Sequence, residues 1–137
     1  MTAKKKILVI DDDKDFLFAT ELILEKGGYE VFVAEDGKRG VEMWKSVSPD
    51  LAIIDMMMET WGEGFEVLKK IRSTDMGKDA PLFILSAVDL HGPYQTFEPS
   101  TDFPKVNMVL HKPIKAQDLL RYIANALGEK QIMVKKK

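Results

Sequence analysis

The chain has 137 residues, 45% of them hydrophobic, which suits one compact domain with an ordinary core and leaves no length for a second. A formal net charge of -2 provides no global field for nucleic acid or an anionic membrane, so neither is expected as a direct partner. The absence of cysteine excludes a disulfide framework, a thiolate zinc site and cysteine nucleophile chemistry, and fits the cytoplasm.

The apolar stretch after Lys4, Lys5 and Lys6 is too short for a signal peptide or a membrane span. Ile7 to Ile10 form a continuous apolar run ending at Asp11, which reads as a strand buried on both faces, as in a parallel sheet. Phe16, Ala19, Leu22 and Ile23 then recur at helical spacing, from an acidic start at Asp13 and Asp15 to a stop at Gly27 and Gly28. Tyr29 to Ala34 reads as a second strand, and Val41, Trp44 and Val47 mark a second helix. Leu51 to Ile54 is a third strand, again ending in an acid, Asp55. Phe65, Leu68 and Ile71 stripe a third helix, and after Pro81 the run Leu82 to Leu85 is a fourth strand ending at Ser86.

The stretch from Val88 to Lys105 breaks the alternation. Pro93, Pro99 and Pro104 restrict the backbone and remove donors, so the helix expected there should be degenerate or replaced by a loop, and an irregular segment this long implies either a functional reason or real mobility. Val106 to Leu110 is a fifth strand, followed by Lys112 and Pro113. Leu119, Ile123 and Leu127 stripe a last helix ending at Gly128, and residues 129–137 are expected to form a short basic tail with no room for an output domain. Alternating strands and helices imply an α/β fold: a doubly wound, five-stranded parallel sheet with helices on both faces, forming a single domain whose core covers about 5–128.

In such a sheet the reactive site lies beyond the carboxyl ends of the strands. This arrangement would gather Asp11 and Asp12, Asp55, Ser86 and Lys112 at one edge. Three carboxylates together repel one another unless a cation shares them, and Mg²⁺ suits one or two carboxylates plus a phosphate oxygen. One carboxylate could then attack phosphorus, while an ammonium and a hydroxyl hold the transferring oxygens. Asp13 and Asp15 read as helix-start residues rather than ligands. His91 and His111 lack partners for a metal cluster, and Met56, Met57 and Met58 read as packing and loop residues rather than a soft-metal site.

The matching pieces are Ile-Leu-Val-Ile-Asp-Asp-Asp at 7–13, Leu-Ala-Ile-Ile-Asp-Met-Met-Met at 51–58, Leu-Phe-Ile-Leu-Ser-Ala at 82–87 and His-Lys-Pro at 111–113. On these the chain resembles the flavodoxin-like receiver domain of two-component response regulators, of the stand-alone, chemotaxis-regulator-like kind. The resemblance implies Asp55 as phosphoacceptor, Asp11, Asp12 and Asp55 as Mg²⁺ ligands, and Met57 as a further ligand through its backbone carbonyl. It implies Ser86 as the hydroxyl that follows the phosphoryl group, and Lys112 as its ammonium contact with a cis bond to Pro113 aiming it. Ala87 matches the small side chain that leaves the phosphoryl donor room. The implied partners are a sensor histidine kinase or phosphotransfer protein upstream and an unidentified protein downstream. The implied chemistry is the domain's own phosphorylation and dephosphorylation rather than turnover of a separate substrate.

The chain also departs from that pattern. Glu59 stands where a proline is usual, Thr60, Trp61 and Gly62 lengthen the turn before Gly64, and Val109 occupies the place of an aromatic switch residue. These departures motivate an alternative, a receiver-like interaction module that works without phosphorylation. A second alternative is a haloacid-dehalogenase-like phosphohydrolase with Asp11 as nucleophile. That reading expects an acid pair after the lysine, which is absent, and leaves Asp55 without a role.

Overall fold

The computed structural model describes residues 4–56, 63–86 and 106–128, with the side chain of Ser86 outside the description. Along the chain run β1 (Lys6–Ile10), α1 (Lys14–Lys26), β2 (Glu30–Ala34), α2 (Gly37–Val47), β3 (Leu51–Asp55), α3 (Glu63–Arg72), β4 (Leu82–Ser86), β5 (Met108–His111) and α4 (Ala116–Ala126). All strand pairs are parallel, in the order β2-β1-β3-β4-β5. The chain winds outward from β1 to β2 and then crosses back to β3. The winding therefore reverses between β1 and β3, and a crevice opens beyond their carboxyl ends.

The apolar runs read as two-faced strands because each residue parity feeds a different core. Leu8, Ile10, Ala52, Ile54, Leu82 and Ile84 pack with Val41 and Trp44 of α2 and with Val67, Leu68 and Ile71 of α3. Ile7, Val9, Ile53, Phe83 and Leu85 pack instead with Leu17 and Leu24 of α1 and with Leu119 and Ile123 of α4. Each fully buried aliphatic side chain contributes about 1.5–3 kcal/mol relative to exposure, so a one-residue slip of β1 or β3 would exchange the two cores.

Local chemistry sets the helix ends near the crevice. Asp13 caps α1, its carboxylate accepting from the backbone N–H groups of Asp15 and Phe16, and Gly28 beyond the other end takes a positive φ of 96°. Asp36 caps α2 by accepting from the Arg39 N–H at 2.8 Å, and the Glu63 carboxylate of α3 accepts from the Gly37 N–H at 2.9 Å. Gly64 lets α3 approach closely: a Cβ there would stand 2.5 Å from the Asp55 carbonyl oxygen and 2.7 Å from Met56 Cα. Arg72 closes the opposite end of the sheet, donating from Nη1 to the carbonyls of Gly77 and Ala80 and from Nη2 to Asn107 Oδ1. Burial lowers the Arg72 pKa, and Asp79 opposes that shift.

The element order follows the sequence expectation, with differences at the boundaries. β5 starts at Met108 rather than Val106 and runs on to His111, because Asn107 turns its side-chain oxygen to accept from the Leu82 N–H at 3.0 Å. Leu127 caps α4 rather than extending it, and Gly128 follows at φ 72°. The expected degenerate helix over 88–105 and the basic tail lie outside the described residues. Among the described residues no helix is long and apolar enough to cross a membrane.

Candidate functional site

Parallel register brings the acids together. Ile10 pairs with Ile54, so Asp11, one residue beyond β1, and Asp55, the last residue of β3, emerge side by side at the crevice. Asp12 follows on the turn into α1. Asp11, Asp12 and Asp55 can each present one carboxylate oxygen such that these oxygens lie within 4.8 Å of one another. Asp11 is 1% exposed and Asp55 5%, whereas Asp12 is open to solvent and lines a polar groove with Lys14, Glu35 and Asp36.

Lys112 joins them from β5. Its Nζ donates to Asp11 Oδ2 at 2.6 Å and lies 3.8 Å from Asp55 Oδ2, and the Lys112–Pro113 peptide is cis. The other oxygen of Asp11, Oδ1, accepts from the Asp13 N–H at 2.9 Å. Three carboxylates and one ammonium give this group a formal charge of -2. All the side-chain donors are hard oxygens, and the exposed acid opens on water. Such a set fits a divalent ion that keeps part of its hydration, Mg²⁺ in particular.

Four of the sequence-derived site residues, Asp11, Asp12, Asp55 and Lys112, thus meet in one place. Ser86 ends β4 with its backbone in register with His111, which puts it on the same edge of the sheet. Met57, Glu59, Ala87 and the segment from Val88 to Lys105 lie outside the described residues. Val109 is half-buried within β5 opposite Ile84. Asp13 is an N-cap, as expected, and His111 is exposed at the end of β5.

Two contributors were not legible in the sequence. Gly64 is one, because nothing in its neighbours signals that α3 presses on the Asp55 carbonyl. Phe16 is the other: its ring centroid lies 4.2 Å from Lys112 Nζ. Its helical spacing signalled only core packing, and a contact across 96 positions of chain has no local sequence signature.

Comparison with known proteins agrees with this geometry. Response regulator MprA of Mycolicibacterium vanbaalenii is 37% identical over 84 residues, which are 61% of this chain and 35% of that protein; the match spans about a third of the relative's length. A CheY-like response regulator receiver domain protein of Methanospirillum hungatei superposes with a TM-score of 0.79 at 25% identity, covering 92% of this chain and 95% of that one. A response regulator receiver domain protein of Clostridium thermocellum gives a TM-score of 0.74 at 30% identity, covering 94% and 98%. The model of the response regulator receiver domain matches residues 7–124, and with the sheet order and the clustered acids it establishes that the chain belongs to the receiver domain family of two-component signalling.

Proposed function

We propose that the domain accepts a phosphoryl group on Asp55 in a Mg²⁺-dependent reaction, and thereby switches a protein-binding surface. The observation that carries this reading is the meeting of Asp11, Asp12 and Asp55 at the β1/β3 crevice with Lys112 Nζ between two of them. Asp55 is taken as the acceptor because it ends β3, the central strand of the sheet, beside Asp11 and within 3.8 Å of Lys112 Nζ. Asp11, Asp12 and Asp55 would hold Mg²⁺, together with the Met57 carbonyl. The ion would supply neutralisation of charge on the transferring oxygens.

A carboxylate oxygen of Asp55 forms the new bond to phosphorus as the bond from phosphorus to the donor's leaving atom breaks. The leaving atom keeps the electron pair of that bond. Lys112, already within 3.8 Å of Asp55, then contacts a phosphoryl oxygen, and the Ser86 hydroxyl follows another. Because an ammonium and a hydroxyl act on the product, their loss should impair switching more than labelling. The donor is a sensor histidine kinase or a phosphotransfer protein, and the output is a protein contact in the cytoplasm. The domain catalyses its own phosphorylation and dephosphorylation and contacts neither nucleic acid nor membrane directly.

Intact mass after incubation with acetyl phosphate and Mg²⁺ tests this reading. One added phosphoryl group is expected, absent in Asp55→Asn and absent without divalent metal. Unchanged labelling of Asp55→Asn would overturn it.

A further inference from the structure

Phe16 lies in the first turn of α1, where its backbone N–H donates to the Asp13 cap at 3.2 Å. That cap sets where the helix starts, and so which way the ring points. The ring is half-buried against the core shared by Ile7, Val9 and Leu17, and its face meets Lys112 Nζ at 4.2 Å from the centroid. An aromatic face attracts an ammonium through its quadrupole; a leucine of similar bulk offers no such surface. Lys112 Nζ therefore has three attractive neighbours, the carboxylates of Asp11 and Asp55 and the ring of Phe16.

Those neighbours differ in what else claims them. Asp11 and Asp55 belong to the set that a divalent cation would draw on, and the ring does not. The lysine side chain is long, rotatable and 18% exposed, so an ammonium released by Asp11 has an open path to water. We propose that Phe16 is a positioning residue for Lys112, its ring face keeping the ammonium beside Asp55 once the carboxylates are committed to a metal and a phosphoryl group. This rests on the roles of Asp55 and Lys112 given above, and adds the residue that holds the lysine within reach.

Two measurements test it. In the metal-free protein, NMR should show the Lys112 ε-methylene protons shifted upfield by the ring current, with the shift lost in Phe16→Leu. Ordinary shifts in the parent would overturn the contact itself. In Mg²⁺, titration with beryllofluoride should show binding weakened about three- to tenfold by Phe16→Leu and restored by Phe16→Tyr or Phe16→Trp. In the Lys112→Ala background the same leucine substitution should cost nothing more, since the two residues act as one unit. A leucine effect of equal size in both backgrounds would mean that Phe16 acts through packing, and would overturn the inference while leaving the phosphoacceptor reading intact. Failure of the parent to bind beryllofluoride would overturn that reading and this inference with it.

Discussion

Replacing Lys112 with alanine removes the ammonium that lies 2.6 Å from Asp11 and 3.8 Å from Asp55. The side chains of these acids keep only 1% and 5% of their surface, so little water is at hand to screen them. Truncating one partner of a buried ion pair costs about 3–5 kcal/mol, because a charge is left without compensation. Lys112 itself is 18% exposed, and water entering its place offsets part of that cost; about 2–3 kcal/mol is the expected loss without metal. For a domain of this size that corresponds to a drop in Tm of roughly 6–12 °C. Calorimetry should be run on parent and variant in chelator and again in saturating MgCl₂. The deficit should shrink by more than half in Mg²⁺, since a divalent cation takes over the neutralisation. Mg²⁺ should also bind the variant more tightly than the parent, in which Lys112 competes for Asp11. An unchanged Tm in chelator, or an equal loss with and without Mg²⁺, would refute the electrostatic account of the site.

Three further substitutions separate the residues that build the site from those that support the fold around it or away from it. Gly64→Ala places a methyl 2.5 Å from the Asp55 carbonyl oxygen, and since the clash is with backbone we expect about 1–3 kcal/mol of destabilisation and slower labelling by acetyl phosphate; wild-type urea midpoint and labelling rate would contradict the close approach. Asp13→Ala removes the α1 cap and should cost about 1 kcal/mol in urea unfolding while Mg²⁺ affinity stays at the parent's value. A large loss of affinity would make Asp13 a ligand after all. Arg72→Lys keeps the charge but loses the fork that serves the carbonyls of Gly77, Lys78 and Ala80 together with Asn107, so about 1.5–3 kcal/mol should be lost with labelling chemistry preserved at low temperature.

The strands were readable because a parallel sheet buries both faces, and Ile7–Ile10, Leu51–Ile54 and Leu82–Leu85 are apolar at every position. Their polar terminators were readable for the same reason. An aspartate ending such a run at Asp11 or Asp55 has no place in either core and must emerge at the sheet edge. What escaped reading depends on geometry across the chain. The start of β5 moved because Asn107 is drawn to Leu82 and Arg72, partners that no local pattern around Val106 displays. Phe16 read as core from its helical spacing, and it is partly that. Its second role exists only because β5 returns Lys112 to the first turn of α1. Gly64 is demanded by the distance between α3 and the end of β3, a tertiary quantity.

The most direct test of the central claim is to locate the phosphoryl group chemically. Borohydride reduction of protein treated with acetyl phosphate and Mg²⁺ converts an aspartyl phosphate to homoserine, and peptide mass spectrometry then identifies the modified position. The account predicts homoserine at position 55 alone, abolished by chelation of divalent metal. Homoserine at position 11, or its appearance at 55 without divalent metal, would contradict it.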